Sequence, residues 1–349
     1  MSQNRTGKSR VPTPNHAEVS SFSIHGDEGL SVGLIDFGAA ITSIRVPTNN
    51  GDLEVVIACP ESQYTNNVNY FGSTVGRYAN RIANGQFTLN GAQHELAVND
   101  SSGRHCLHGG TVGFHRRRWT ALPGQRRNAI AFSLISPNND QGFPGELSAQ
   151  ITYSIRSPMA LHIDFLATCD RTTVVSLTNH SYLNLDGFHV DCQPSINEHE
   201  VLIAADYYTP TDHEGIPTGA IETVASSLLD LREPRVLGEL LDSDKPSLSR
   251  SGGFDHNYVL HQRSEFDEPA ATVTSRRSGL KLEVLTSQPG LQFYTANQIA
   301  APMYRRGAIC LEPQGFPDAP NQPHFPSTVL EPGGTYRQFI EYRFSEFDD

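Results

Sequence analysis

Six short clusters hold most of the side chains able to do chemistry in this chain. They are Gly76 to Ile82 (GRYANRI), Leu107 to Gly110 (LHGG), Thr178 to Asn184 (TNHSYLN), Phe254 to Asn257 (FDHN), Gly290 to Asn297 (GLQFYTAN) and Leu311 to Gln314 (LEPQ). Each sets a His, Arg, Asp, Gln or Glu at or beside the end of a predicted strand. Taken singly, such a residue is more often a surface turn or a satisfied core group than part of a site. Taken together they describe a cleft whose walls both donate and accept hydrogen bonds. Imidazole and carboxylate are available there for proton transfer, and Trp119 or a tyrosine for stacking on a sugar face. A carbohydrate asks for such walls, because every hydroxyl donates and accepts.

Other chemistries find no support. The chain has no G-x-x-x-x-G-K-[ST] loop, no G-x-G-x-x-G after a strand, no G-x-S-x-G elbow and no H-E-x-x-H. His105-Cys106-Leu107-His108 invites a metal reading, but a closed zinc site wants four ligands and no C-x-x-C or H-x-x-x-H partner follows. No metal is expected. A net charge of −12 repels phosphate backbones and anionic lipid, so neither nucleic acid nor a membrane is an expected partner. A neutral or cationic small molecule fits better. The five cysteines are scattered without pairing motifs, which argues against a disulfide framework.

The elements that must position these clusters are strands. With 29 Gly, 22 Pro and 17 Phe against 3 Met and 18% charged residues, the composition favours turns over helices. Leu161 to Ala167 alternates Leu161, Ile163 and Phe165 against His162 and Asp164, the period of a half-buried strand. Gln338 to Ser345 does the same. Further strands are predicted at 40–46, 129–135, 149–155, 174–178, 201–205, 281–286, 291–294 and 309–311. Helical periodicity is confined to fragments such as Pro234 to Leu241. The prediction is an all-β protein, a large antiparallel β-sandwich. Residues 1–17 read as a polar mobile tail and 18–349 as a single domain, since no linker or repeat divides them. Glu312 to Tyr336 holds six prolines and reads as a stiff loop forming the rim of a site. The polar N-terminus has no apolar h-region and no run of 18 apolar residues occurs, so a soluble cytoplasmic protein is expected.

In order, the clusters resemble those of the aldose 1-epimerases, also called galactose mutarotases. The resemblance runs from Val19 to Arg343 through GRYANRIANG, LHGG followed by GFHRRRW, TNHSYLNLDG, the PTD…PTG turn at Pro210 to Gly219, FDHNYVL, LQFYTAN and LEPQGFPDAPNQPHFPSTVLEPGGTY. Seven motifs in family order make it specific. It implies a cofactor-free isomerase that opens the hemiacetal ring of a free aldohexose and recloses it on the other face of C1, working as a monomer or homodimer. One base and one acid must then flank the same carbon. By resemblance Glu312 is the base that takes the C1 hydroxyl proton and His180 the acid that protonates the ring oxygen. His108 matches a second histidine that orients the sugar and shares the donor role. Asn80, Arg81, Asp255 and Gln292 match positions that hold the sugar hydroxyls, with Arg77 a less favoured rival to Arg81. As a donor, His180 is expected to be protonated with the help of a neighbouring carboxylate. Two residues depart from the family pattern. Leu183 stands where a second aromatic is common, and Gly315 replaces His or Thr, which predicts a looser start to the proline-rich wall. The alternatives are a hexose-6-phosphate 1-epimerase, a non-catalytic sugar-binding relative, and a lyase or hydrolase built on the same sandwich.

Overall fold

The computed structural model describes residues 19–57, 64–65, 68–156, 158–188, 193–242, 248, 251–261, 267–299 and 304–347. The predicted tail, Cys59 and Cys192 lie outside them. The largest sheet has nine antiparallel strands in the spatial order Thr120–Ala121, Ala129–Ser136, Leu147–Arg156, Ala160–Cys169, Tyr336–Glu346, Leu280–Thr286, Ala271–Ser275, His199–Ile203 and Arg235–Val236. Its register places Ile151 opposite Phe165 and Ile163 opposite Ile340, so one face carries the apolar half of every alternation. A four-stranded sheet spans Ser21–His25, Ser31–Ile35, Ala40–Val46 and Leu53–Glu54. A five-stranded sheet runs through Glu222–Thr223, Tyr207–Thr209, Asp255–Val259, Gly290–Tyr294 and Cys310–Gln314. One buried apolar cluster draws on all three, including Ile44 and Val46, Ile151 and Phe165, and Tyr258, Leu291 and Leu311. The fold is the predicted antiparallel all-β sandwich, with a single five-residue helix at Leu237–Leu241 among the described residues.

Four expectations change. The strand predicted at 309–311 runs on to Gln314, so Glu312 sits within a sheet and not in the proline-rich loop. The strand Asp255–Val259 lies outside the predicted set because its burial does not alternate; this strand and the next two in the sheet are buried nearly throughout. His162 is not on a solvent face. It is buried, with Nδ1 2.9 Å from Glu341 Oε2 and its ring stacked on Phe339. Trp119 is buried in the core, where its indole N–H donates to the Phe114 carbonyl, so it cannot stack on a ligand.

Candidate active site

The five-stranded sheet fixes the carboxylate end of the site. Asn257 pairs with Gln292 and Gln292 with Glu312 across adjacent strands, which puts all three side chains in one row on one face. Asp255 lies two residues before Asn257, hence on the same face, and its Oδ1 accepts from Gln292 Nε2 at 2.7 Å. Gln292 Oε1, Asn257 Oδ1 and Glu312 Oε2 are buried without a hydrogen-bond partner in the protein. Buried polar atoms of this kind are normally satisfied, so three in one row await a ligand rich in hydroxyl groups.

The imidazole end is built by two short ladders. Thr178–Asn179 pairs with Thr74–Val75, and His180 follows directly. Its main chain is held by the Ser73 carbonyl and its carbonyl by the Gly72 N–H. Arg81–Ile82 pairs with Cys106–Leu107, so Asn80 and His108 meet at the end of that ladder. The His108 N–H donates to the Asn80 carbonyl at 2.9 Å, and the Asn80 N–H donates to His108 Nδ1 at 3.2 Å. Gly109 follows because nothing larger fits: with φ at +84°, a Cβ there would lie 2.0 Å from the Gly76 carbonyl oxygen.

These ends converge. His180 Nε2 lies 3.6 Å from Glu312 Oε1. One nitrogen each of His108 and His180 and a carboxylate oxygen of Glu312 fall within 4.8 Å of one another, all buried. Burial pushes the Glu312 carboxyl well above its usual range, reinforced by the Asp255 charge. Burial also pulls His180 down to about 4. The carboxylate neighbour expected for His180 is Glu312 itself, and burial opposes the charged form of both, so the two desolvated groups share one proton. His108 is pulled well below the ordinary histidine value by burial, then by His180, His115 and Arg81.

The triangle has the composition of a metal-ligand set, yet its hydrogen bonding suits protons better. The His108 lone pair on Nδ1 is engaged by Asn80 N–H, so in the neutral ring Nε2 carries a hydrogen. The sequence-adjacent trio disperses: His105 accepts from Asn84 N–H at Nδ1 and faces Glu214, while the Cys106 thiol is pushed up to about 12 by burial.

A cleft of about 570 Å³ opens beside this triangle. Asn80, Arg81, Asp255, Asn257 and Gln292 line it, along with Asp100, Asp212 and Glu214. Glu312 is the cross-strand neighbour of Gln292 and His108 is bonded to Asn80, so the triangle adjoins that lining. Gly215 in the PTD…PTG turn packs so closely on Arg81 that a Cβ would lie 3.3 Å from the guanidinium carbon. Arg77 is elsewhere. Its guanidinium is buried and donates to the carbonyls of Ser136, Pro137, Pro144 and Gly145. All seven nominated residues thus gather at one place, and Arg77 does not.

The proline-rich wall is packed. Gly315 N–H donates to Ser176 Oγ, and a Cβ there would lie 2.9 Å from Thr328 Cγ2, so glycine marks tight packing instead of the predicted loosening. Asp318 accepts from Ala83 N–H and donates its own N–H to the Arg81 carbonyl, tying the wall to the cleft. One residue escaped the sequence reading. Tyr70, in a segment with no strand pattern, stands against His108, His115 and His180 with ring centroids 4.5, 4.5 and 5.7 Å away.

The chain is similar to known proteins over nearly its whole length. Residues 20–343 match the family described as aldose 1-epimerase. A galactose mutarotase of Sus scrofa is 41% identical over 94% of both chains. An aldose 1-epimerase of Escherichia coli is 34% identical over 95% of this chain and 96% of its own. Among solved structures, an aldose epimerase homologue from C. elegans superposes with a TM-score of 0.86 at 29% identity, over 95% of this chain and all of that one. A galactose 1-epimerase from Lactobacillus acidophilus shares the fold at a TM-score of 0.83 and 23% identity, with 97% and 98% coverage. With a family match over residues 20–343 and relatives 34% and 41% identical over nearly the full length, the chain belongs to the aldose 1-epimerase family.

Proposed function

We propose that this protein interconverts the α and β anomers of free aldohexoses such as galactose and glucose, with Glu312, His180 and His108 as the reacting groups and Asn80, Arg81, Asp255 and Gln292 as the hydroxyl-binding groups. The observation that carries the reading is the 3.6 Å approach of His180 Nε2 to Glu312 Oε1, beside buried acceptor atoms with no partner in the protein. Ring opening takes the C1 hydroxyl proton onto the Glu312 carboxylate while the His180 imidazolium gives a proton to the ring oxygen. One proton moves, net, from His180 to Glu312 through the sugar. The open aldehyde then coexists with a protonated carboxyl and a neutral imidazole, the distribution that burial favours at this site. Rotation about C1–C2 followed by the reverse transfers closes the ring on the other face. Positioned transfer of this type supplies about 10² to 10⁴ in rate.

The substrate in this reading is uncharged. Asp100, Asp212, Glu214 and Asp255 line the cleft beside Arg81, and Glu214 pairs with Arg104, so the lining is a poor anchor for a sugar phosphate. A pure sugar binder has no use for an acid and a base across one carbon. The protein acts as a single sandwich domain in the cytoplasm, monomeric or homodimeric; among the described residues no helix is long and apolar enough to cross a membrane. Polarimetry or NMR saturation transfer on freshly dissolved α-galactose tests the reading. Glu312→Gln and His180→Asn each lower the catalysed rate by about 10² or more, and a wild-type rate in either overturns the assigned roles.

A further inference from the structure

Tyr70 has a main-chain conformation that its side chain does not favour. Its φ is +61°, in the left-handed region where a bulky L-residue is strained and glycine is not. Such strain persists only where surrounding structure insists on it, and it concentrates at functional sites. The surroundings do insist. The Tyr70 carbonyl accepts from Ser73 N–H, the preceding Asn69 carbonyl accepts from the Tyr182 hydroxyl, and Gly72 is bonded to Ile41, Asn179 and His180. This conformation sends the ring between the imidazoles. It lies nearly parallel to His180 at an interplanar angle of 20°, tilted at 56° to His108 and at 62° to His115. His180 also stacks on Tyr182, with ring centroids 5.0 Å apart, so both tyrosines pack on its ring.

Resting on the mutarotase reading above, we propose that Tyr70 is a positioning residue, whose ring wedges among the histidines, fixes the planes of His108 and His180 toward Glu312, and keeps water from His180. Both histidines leave a ring nitrogen free to face the reacting carbon only while their planes are held. His108 is anchored through Nδ1 by Asn80, but His180 Nδ1 is buried without a hydrogen-bond partner, so its orientation rests on packing and on the approach of Nε2 to Glu312. The ionisable groups facing His180 are Glu312 from the Cys310–Gln314 strand, His108 from the loop after Cys106–Leu107, His115 from the turn at Phe114–Arg116, Tyr182 from its own segment, and Tyr70. Burial raises the Tyr70 phenol to about 12, against the lowering pull of Arg81 and of a hydrogen bond with Asn99, so it stays neutral and carries no charge to His180.

The φ value makes the test selective. Tyr70→Gly relieves the strained backbone, so a merely structural ring predicts a folded protein with unchanged turnover. The positioning role predicts a folded protein with kcat for galactose anomerisation lowered at least tenfold and KM little altered. Water reaching His180 also moves the acid limb of the kcat/KM profile up from about 4 toward the ordinary histidine value. Tyr70→Asn, which also tolerates the left-handed region, repeats these effects. Tyr70→Phe keeps the ring and retains both kcat and the profile. Wild-type kcat and acid limb in folded Tyr70→Gly overturn the proposal, as does a Tyr70→Phe protein as impaired as Tyr70→Gly. Failure of both Gly and Asn variants to fold also overturns it, because the ring would then be a structural element. Glu312→Gln, assayed alongside, separates the two levels: if it turns over normally the catalytic roles fail, whereas if it is inactive while Tyr70→Gly is normal only this inference fails.

Discussion

The main-chain N–H of Asn80 donates to Nδ1 of His108 across 3.2 Å. Both residues have positive φ, +61° and +50°, and the His108 N–H returns a bond to the Asn80 carbonyl. The contact therefore fixes the tautomer as well as the ring plane: Nδ1 accepts and Nε2 carries the hydrogen toward Glu312 and His180. Asn80 also accepts from Arg81 N–H through its side-chain oxygen, leaving its amide nitrogen for the cleft.

His108 is accordingly expected to act as a neutral donor throughout the working range. Nitrogen-15 NMR of the ring is expected to show an unprotonated Nδ1 and a protonated Nε2, unchanged between about pH 5 and 8. A His108 resonance that titrates in that window, or the opposite tautomer, contradicts the assignment.

The shared proton of Glu312 and His180 predicts the pH dependence of kcat/KM. The working pair carries one proton. As pH falls through about 4, His180 takes a second and no base remains. As pH rises through the elevated Glu312 value, the pair loses its only proton and no acid remains. Rates corrected for spontaneous anomerisation are expected to form a plateau between these limbs. An acid limb near the ordinary histidine value of about 6.5 contradicts this arrangement.

Glu312→Gln is expected to separate stability from activity. The folded-state value of Glu312 is raised, so its contribution to stability is fully present below the unfolded value, 4.5, and is lost as pH rises through the folded value. The amide removes that loss. Thermal unfolding is expected at a higher Tm than wild type at pH 7, with the difference vanishing at about pH 4, while anomerisation falls by about 10² or more. A variant less stable than wild type at pH 7 and equally stable in acid has the wrong sign.

The two arginines of the GRYANRI segment are expected to behave differently. Arg77→Ala leaves the buried carbonyls of Ser136, Pro137, Pro144 and Gly145 without their donor and destabilises the fold on the order of 3 kcal/mol or more. Arg81→Ala removes a cleft group and is expected to fold normally, with kcat/KM lowered by about 10- to 100-fold. Denaturant melts and galactose kinetics on both variants check the contrast. Normal stability in Arg77→Ala with lost activity exchanges their roles.

Strands that bury one face announce themselves, and Ala129–Ser136, Leu147–Arg156 and Ala160–Cys169 are readable from alternation to within a residue or two. The strands that carry Asp255, Gln292 and Glu312 are buried along nearly their whole length, so their sequences have no alternation to read, and Asp255–Val259, the middle strand of its sheet, shows no strand pattern. His162 falls on the polar half of its strand's alternation and is buried all the same, because local pattern cannot foresee a partner such as Glu341, 179 residues away.

The sequence by itself determined the class of the fold, through composition and alternation, and the residue types of the site, through motifs that place imidazole, carboxylate and guanidinium beside strand ends. It could also prefer Arg81 over Arg77. Only the tertiary structure decided that burial opposes the charged forms of Glu312 and His180, because desolvation depends on everything packed around them. It alone decided the tautomer of His108, since that depends on a hydrogen bond spanning 28 residues. And it alone brought Tyr70 to the histidines, because a left-handed backbone and the contact it creates leave no periodic trace along the chain.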